Sequence, residues 1–231
     1  MVLKRSEIEA EIEWVKDLLR EYCIKLPDIA YWKVDDWRSN REQLDIIRKT
    51  CLGWDITDYG SGDYRNIGNV AFTIRNGYLK DPKIGTPYAE KALIFRDGQS
   101  LPLHFHFTKI EDIINKAGGV LWLKLYNSNE DNSLDETSNV TVEMDEIIHT
   151  FKAGEIIRVM PGNSITLRPR TYHAFGSEAG KGDLICGEVS SVNDDNVDNY
   201  FLGQGARYPK IEEDVPIKIP LCNEYGKILA D

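Results

Sequence analysis

A chain of 231 residues with 42% hydrophobic and 29% charged residues has the composition of a globular protein with a substantial core. Its formal net charge of −10 argues against nucleic acid as a partner, because phosphates favour a basic surface. No apolar run reaches about 18 residues, so no membrane-spanning helix is predicted. The chain starts without the apolar segment of a signal peptide, and its four cysteines form no CxxC pair. We therefore expect a cytoplasmic protein with reduced, buried thiols.

The first fifty residues are typical of helices. Apolar residues recur at helical spacing over residues 5–23, and Ser6 followed by Glu9 is the pattern of a capping box. A second helix is predicted over about 35–50. We expect residues 1–52 to form a helical extension that packs on the remainder of a single domain.

The remainder, residues 53–231, is predicted to be a β domain. After a stretch rich in turn residues from Gly53, short β runs alternate with turn signals. The candidate strands are Val70–Arg75, Ala89–Arg96, Leu101–Phe107, Val120–Leu125, Val140–Lys152, Ile156–Val159, Ser164–Leu167, His173–Gly176 and Leu184–Ser190. Many short strands at near-regular spacing are typical of a sandwich or a closed barrel. The last forty residues or so (about 192–231) are predicted to be extended chain packed on this barrel.

The most informative stretch contains two histidines and a glutamate. His104 and His106 are two residues apart, so on a strand their side chains share one face, and Glu111 follows the strand. Two imidazoles and a carboxylate suit a borderline divalent ion such as Mn, Fe, Co, Ni or Zn. In a competing interpretation, Thr108 and Glu111 form the capping box of a short helix. The metal site is favoured because a capping box leaves the paired histidines unexplained.

The same stretch resembles the first signature of the cupin superfamily, glycine, five residues, His-x-His, four residues, glutamate, six residues, glycine. Its fixed positions are met by Gly98, His104, His106, Glu111 and Gly118. The resemblance implies a mainly β cupin fold, a double-stranded β-helix or jelly-roll barrel, here with an N-terminal α-helical extension. It also implies a fourth metal ligand on a later strand. His173 fits that place, although Arg170 stands where a glycine is expected and Ser177 where an asparagine is usual. His149 is interpreted as structural.

Two further ionisable residues are candidates for acid–base chemistry. Lys109 lies three residues after His106, in the first turn of the predicted short helix, where the helix dipole disfavours a cation. Glu188 shares a predicted strand face with Leu184 and Cys186, and a carboxylate on an apolar inner face is costly unless it has a partner or a function. A carboxylate and an ammonium beside a metal-bound hydroxy-carbonyl compound provide the base and acid for proton transfer through an enediol. Four protein ligands leave two adjacent metal positions for such a compound.

Several runs between about residues 50 and 225 are similar to D-lyxose isomerases. They are Gly53–Gly60, Thr73–Gly77, Tyr88–Lys91, Arg96–Gln99, Gly187–Ser190, Asn193–Asp195, Arg207–Pro209 and Glu212–Asp214, together with the metal-binding stretch. The resemblance implies a manganese-dependent aldose–ketose isomerase that interconverts D-lyxose and D-xylulose, often also D-mannose and D-fructose, and that is usually dimeric.

Site residues follow from this resemblance by position. Metal binding is implied for His104, His106, Glu111 and His173, and proton transfer between C1 and C2 of the sugar is implied for Lys109 and Glu188. Arg207 would contact sugar hydroxyls or brace Glu188, or else pair with the acidic run Glu212–Asp214 at the surface.

Two other functions are compatible with the metal motif. An Fe(II)-dependent cupin dioxygenase uses the same four ligands but needs no acid–base pair, and a non-catalytic sugar-binding cupin needs no chemistry at all. The predicted cofactor is one divalent metal ion per chain, manganese first, with Co, Ni, Fe and Zn also compatible with the ligands.

Overall fold

The computed structural model describes residues 2–194, 198–203 and 209–229. Its α-helices are α1 (Arg5–Glu21), α2 (Val34–Ser39), α3 (Asp45–Thr50) and α4 (Tyr225–Leu229), and short 3-10 helices cover Asp28–Tyr31 and Arg41–Gln43. Its strands are β1 (Leu3–Lys4), β2 (Gly53–Thr57), β3 (Asn69–Gly77), β4 (Gly85–Phe95), β5 (Ser100–His106), β6 (Glu111–Gly118), β7 (Leu121–Ser128), β8 (Leu134–Asp135), β9 (Val140–Met144), β10 (Ile147–Phe151), β11 (Ile156–Val159), β12 (Ser164–Leu167), β13 (Thr171–Ser177), β14 (Leu184–Ser191), β15 (Asn199–Phe201) and β16 (Ile211–Glu212).

Two antiparallel sheets form the body of the molecule. The larger sheet has the strand order β10-β9-β12-β6-β14-β4-β3-β2, and the smaller sheet has the order β11-β7-β13-β5-β15, with β8 paired to β7. Buried apolar side chains of both sheets, such as Leu93 and Leu184 of the larger and Leu123 and Phe175 of the smaller, belong to one shared core. Two curled sheets around one core form a jelly roll, so the predicted mainly β fold class is confirmed.

Helix α1 covers the outer face of the larger sheet. Its fully buried Ile8 and Ile12 belong to a second core with Val70 and Phe72 of β3. Ala71, which lies between Val70 and Phe72 in the sequence, points to the other face of the sheet and belongs to the core between the sheets. Because side chains alternate along a strand, β3 is buried on both faces, and this explains its unbroken apolar run.

The polar residues predicted to cap the first helix have a different role. Ser6 Oγ donates to Asp214 at 2.6 Å, and Glu9 accepts the backbone N–H of Lys218 at 2.6 Å. The backbone N–H that precedes the helix donates instead to Glu7, at 3.0 Å. The predicted capping box is therefore wrong, because both of its residues bind a segment more than two hundred positions away.

An ion cluster around a buried arginine joins α1 to the C-terminal segment. The fully buried Arg5 donates to the Glu224 carboxylate at 2.5 and 3.0 Å and to the Glu213 carboxylate at 2.8 and 2.9 Å. Close to it in sequence, β1 pairs in parallel with β16, with Leu3 opposite Ile211. We call Arg5, Glu213 and Glu224 the Arg5 cluster. It fixes the chain after residue 209 on the helical layer.

Two regions differ from the sequence prediction in their secondary structure. Residues 35–50 are not one helix, because α2 ends at Ser39 and the Asn40 side chain donates to the carbonyl of Asp36 at 2.9 Å. Residues 53–57, predicted as turns, form the edge strand β2. Trp54 stabilises this strand, since its indole is buried in the core under α1 and donates to the carbonyl of Ala30 at 2.8 Å.

The predicted strand Val140–Lys152 is a hairpin of β9 and β10. Asp145 and Glu146 form its turn with φ of 49° and 66°, a left-handed conformation that non-glycine residues adopt rarely. The sequence pattern misses this turn because it contains neither glycine nor asparagine, which are the usual residues of two-residue hairpin turns.

None of the four cysteines, all within the described residues, forms a disulfide, as predicted. Cys186 and Cys222 are buried, but Cys23 and Cys51 are exposed, so the expectation of four buried thiols is wrong for two of them. Among the residues that the structure describes, the helices are too short or too polar for any of them to cross a lipid bilayer.

Candidate active site

Three histidines converge on the inner side of the smaller sheet. His104 and His106 lie on β5, and His173 lies on β13 directly opposite His104. One ring nitrogen of each histidine lies within 4.8 Å of the corresponding nitrogens of the other two. All three are buried, with exposures of 1–7%. The structure thus brings together the three histidines that the sequence predicts as metal ligands.

The second ring nitrogens fit a metal site. Nδ1 of His104 lies 2.9 Å from the carbonyl oxygen of Pro102, and Nδ1 of His173 lies 2.9 Å from that of Thr171. A carbonyl only accepts, so each Nδ1 carries the proton and each Nε2 keeps the lone pair that a metal needs. Histidine ligands are commonly oriented in this way. Burial and the neighbouring histidines also lower the pKa of His104 well below its ordinary value, which keeps this ring neutral for metal binding.

Glu111 completes a four-residue donor set. Its Oε1 lies 3.1 Å from Nε2 of His173 and 3.4 Å from Nε2 of His106. Burial alone would raise the pKa of Glu111, but the Lys109 ammonium and His106 outweigh it and hold that pKa well below its ordinary value. The carboxylate is therefore ionised. Three imidazoles and one carboxylate are a donor set that a borderline divalent cation accepts.

Glu111 is the first residue of strand β6, and the helix predicted after Thr108 is absent. Residues 107–110 form an irregular connection instead, so no helix dipole acts on Lys109. Strand β6 lies between β12 and β14, and its alternate residues Glu111, Ile113 and Asn115 are buried. The local sequence pattern fits a helix equally well, but the hydrogen bonds with strands on both edges of β6 stabilise a strand here.

The predicted acid–base pair also comes together. Lys109 Nζ lies 3.1 Å from Glu188 Oε1 and 2.7 Å from Glu111 Oε2. Lys91 has no predicted role in the site, but its Nζ lies 3.3 Å from the same oxygen of Glu188. All four residues are only 3–7% exposed. We call them the lysine–glutamate chain, because ammonium and carboxylate groups alternate along Lys91, Glu188, Lys109 and Glu111.

Strand alternation explains how Lys91 reaches this site. Lys91 on β4 is the direct partner of Glu188 on β14. It shares its strand face with Leu93 and Phe95, both of which are buried in the core between the sheets. A lysine in alternation with buried apolar residues is the same signal that marks Glu188, and it would have identified Lys91 from the sequence.

These groups line a pocket that contains about 510 Å³ of atom-free space, including its open mouth. Its wall includes Tyr59, which donates to Asn69 at 2.8 Å, and Phe201, whose ring stacks on His104 with a centroid distance of 5.1 Å. Asn199 adds a polar group opposite His106 on β5. Tyr59 lies in the run Gly53–Gly60, whereas no sequence motif marks Asn199 and Phe201, which share one face of β15. The volume is in the range of small-molecule sites.

The sequence analysis names two further residues, Arg207 as a site candidate and His149 as structural. Arg207 lies outside the described residues. Glu213, in the acidic run that we considered as its alternative partner, is bonded by Arg5. His149 lies on the exposed strand β10 with its ring stacked near Phe151, and it does not belong to the three-histidine group.

Comparison with known proteins identifies the family. A family model described as D-lyxose isomerase matches residues 3–225. The chain belongs to the D-lyxose isomerase family. A D-lyxose/D-mannose isomerase of Escherichia coli O157:H7 is 40% identical over 228 residues, 96% of this chain and 98% of the relative. A D-lyxose/D-mannose isomerase of Serratia proteamaculans is 38% identical over 229 residues, 99% of this chain and 100% of the relative. The family predicted from the sequence motifs is confirmed.

Solved structures with the same fold are more distant than these members of the D-lyxose isomerase family. The L-ribose isomerase of Cellulomonas parahominis with L-ribose has a TM-score of 0.58 at 15% identity and covers 92% of this chain and 98% of that chain. The Acinetobacter sp. DL28 L-ribose isomerase with L-ribose has a TM-score of 0.59 at 14% identity, with 91% and 98% covered. At such identity the likeness shows the fold alone, over nine-tenths of the chain.

Proposed function

We propose that this chain is an aldose–ketose isomerase that interconverts D-lyxose and D-xylulose, and also D-mannose and D-fructose. The observation that carries the proposal is the buried pair of Lys109 and Glu188 beside the three-histidine group, with 3.1 Å between their charged atoms. Membership of the D-lyxose isomerase family and the names of the two relatives support the substrate class. Neither a dioxygenase nor a non-catalytic binder needs a buried acid–base pair, so both alternatives are disfavoured.

The proposed cofactor is one divalent metal ion per chain, held by His104, His106, Glu111 and His173. When bound, such an ion supplies Lewis acidity to neighbouring hydroxyl and carbonyl oxygens. Manganese is the proposed native ion from the resemblance to the family, and the imidazole and carboxylate ligands are compatible with it and also with Co or Ni. The buried, neutral His104 and the ionised Glu111 are in the protonation states that metal binding requires.

The proposed proton transfer uses both ends of the Lys109–Glu188 contact. The Glu188 carboxylate accepts the proton from C2 of the aldose and returns it to C1. The Lys109 ammonium donates a proton to the oxygen on C1 and accepts the proton that leaves the hydroxyl on C2. The net result is a ketose, with no oxidant or reductant consumed.

The remaining proposals concern the environment of the site. Residues 1–52 are proposed as an extension that shares one domain with the barrel of 53–231, and the core common to α1 and β3 supports this. Arg207 is proposed to contact sugar hydroxyls. A homodimer is proposed from the resemblance to the family, and a cytoplasmic location is proposed from the widely spaced cysteines.

The decisive experiment strips the metal with a chelator and resupplies Mn²⁺, Co²⁺ or Ni²⁺ separately. D-lyxose, D-mannose and L-ribose are then offered with and without oxygen, and ketose is measured. We expect ketose only after metal is restored, at the same rate without oxygen, and solvent deuterium at C1 of the ketose or at C2 of the recovered aldose. Turnover that requires oxygen would support the dioxygenase. Sugar binding without deuterium incorporation would support the non-catalytic cupin.

A further inference from the structure

The connection between β5 and β6 is held by one residue from a distant part of the chain. We infer that Asp198 is a positioning residue that fixes Lys109 in the pocket. The inference deepens the proposed function and rests on the role of Lys109 in it. Asp198 does not itself line the pocket, and its carboxylate binds Lys109 through the backbone N–H, so it acts through the backbone that carries the lysine.

Asp198 accepts hydrogen bonds from the backbone N–H groups of residues 107, 108 and 109, the first three of the irregular connection. Its main-chain carbonyl accepts the N–H of Phe107 at 3.0 Å. Its carboxylate accepts the N–H of Thr108 at 2.8 Å, the hydroxyl of Thr108 at 2.8 Å, and the N–H of Lys109 at 3.0 Å. Three consecutive N–H groups thus end on a single residue. Bonds to an ionised acceptor are roughly twice as strong as bonds between neutral groups.

Lys109 is held at its other end as well. Besides Glu111 and Glu188, its ammonium lies 3.4 Å from the side-chain oxygen of Asn193. A lysine stem has four flexible carbons, so an ammonium that must act at one sugar oxygen needs both its tip and its backbone fixed. The carboxylates and Asn193 hold the tip, and Asp198 holds the backbone.

Asp198 also links the lysine to the strand beside the metal ligands. It immediately precedes β15, where Asn199 lies opposite His106 and Phe201 lies opposite His104 on β5. A shift of this strand would move the Lys109 backbone and the wall of the histidine group together. The positions of the acid–base lysine and of the candidate ligands are therefore coupled through one short strand.

The chain provides a matched control for this residue. The Asp97 carboxylate accepts three backbone N–H groups, from Gly180, Lys181 and Gly182, at 3.0–3.1 Å. Neither Asp97 nor that turn lines the pocket. Asp97→Asn and Asp198→Asn therefore both weaken hydrogen bonds between a carboxylate and the backbone of a connection. Only the connection bound by Asp198 contains Lys109.

The experiment compares these two variants in the metal-loaded enzyme with D-lyxose. We expect Asp198→Asn to lower kcat on the order of tenfold to a hundredfold, with KM within about threefold, because the lysine is misplaced rather than lost. Metal content should equal that of the wild type, and the fall in Tm should match that of Asp97→Asn. Hydrogen exchange should become faster for the amides of residues 107–109 in Asp198→Asn alone. Asp97→Asn should keep kcat within about twofold of the wild type.

Two further variants keep the outcome decisive. Asp198→Glu retains the charge and moves the carboxylate by one methylene group, so it should fold and still lose kcat. Lys109→Met tests the proposed function itself, which fails if this variant turns over normally. If Lys109→Met loses turnover while the Asp198 variants keep kcat, or lose it only in step with Tm or metal content, the inference about Asp198 is overturned and the proposed function stands.

Discussion

Among the residues that the structure describes, two ionic networks built around buried cations differ in composition and in location. The Arg5 cluster joins one guanidinium to two carboxylates through four hydrogen bonds of 2.5–3.0 Å, between α1 and the C-terminal segment. The lysine–glutamate chain alternates two ammonium groups with two carboxylates along the wall of an open pocket. Arg5, Glu224 and all four members of the lysine–glutamate chain are buried, which is costly unless each charge is matched, whereas Glu213 is exposed.

The two networks contain different cations, an arginine in the Arg5 cluster and lysines in the lysine–glutamate chain, and this difference determines whether a network can take part in proton transfer. Arg5 is forked, planar and permanently charged; burial opposes its charge, but Glu213 and Glu224 outweigh burial and raise its pKa further. Such a group cannot release a proton, so the Arg5 cluster only holds segments together. Lysine is a point charge that can exchange its proton, and in this chain it faces a space where a ligand fits. Buried lysines beside carboxylates in a pocket thus indicate function, and a buried arginine saturated by carboxylates indicates stability.

The largest expected effect comes from Glu188→Gln. The amide keeps the shape of the side chain but cannot accept a proton from C2, so turnover of D-lyxose should fall by about 10²–10⁴-fold. Metal content should stay at the wild-type level, because Glu188 is not a proposed ligand. Glu90→Gln on the neighbouring strand is the control, since Glu90 pairs with Arg75 outside the pocket. Normal turnover of Glu188→Gln would remove it from the acid–base pair.

Arg5→Met should have the next largest effect, and on stability alone. Removing one partner of a buried ion pair costs about 3–5 kcal/mol, and Glu224, buried at 1% exposure, would keep only the half-exposed Lys227 as a cation. Urea unfolding measures the loss, and kcat of the folded variant at low temperature should be unchanged. Arg20→Met removes an exposed pair with Asp17 on the same helix and should cost less than about 1 kcal/mol. Equal costs for the two variants would contradict the distinction between the networks.

Lys91→Met should have a smaller effect on turnover. The Glu188 carboxylate would keep Lys109 but lose the second ammonium at 3.3 Å, so we expect kcat to fall by about tenfold with metal retained. Lys91→Arg keeps the positive charge and should recover part of the rate. Steady-state kinetics on D-lyxose provide the measurement. A Lys91→Met enzyme with full kcat would show that this lysine only fills space.

The smallest expected effect is the acid sensitivity of the Arg5 cluster. Hydrogen bonds from Arg5 lower the pKa of Glu213; burial raises that of Glu224, but Arg5 and the backbone N–H of Leu221 outweigh it and lower the pKa overall. A lowered folded-state pKa gives stability that is present above the unfolded value, about 4.3, and is lost as pH falls through the folded value. Each group changes the free energy of unfolding by at most about 1.4 kcal/mol per pH unit.

That dependence can be measured as Tm against pH from 3 to 7. The wild type should lose stability below about pH 4.3, and Arg5→Met should show a flatter curve in the same range, because the two carboxylates lose the hydrogen bonds from Arg5 that lower their pKa. Parallel curves for the two proteins would show that other carboxylates govern acid unfolding.

The sequence predicts the parts of the site that depend on short spacing. His104 and His106 share a face because strand alternation is obeyed, and Glu188 faces the core with Leu184 and Cys186 as predicted. The same rule applied to β4 would have found Lys91. These inferences succeed because the direction of a side chain on a strand depends only on the parity of its position.

Other features depend on partners far along the chain. Ser6 and Glu9 look like a local cap, but their partners are Asp214 and Lys218. The residues after Thr108 fit a helix until strands β12 and β14 pair with both edges of β6. The local sequence pattern contains no information about such pairing. It therefore predicts the wrong element where it fits a helix and a strand equally well.

The direct pairing of His173 with His104 has a consequence for how the protein could be assessed after refolding. A slip of β13 by one position would turn His173 away from its partner rings and present Tyr172 or Ala174 in its place. Such a misaligned chain would also turn Phe175 out of the core between the sheets, and it would lose an imidazole from the candidate metal site. Stoichiometric uptake of manganese would therefore serve as a quality assay for strand alignment, sensitive to an error that circular dichroism does not detect.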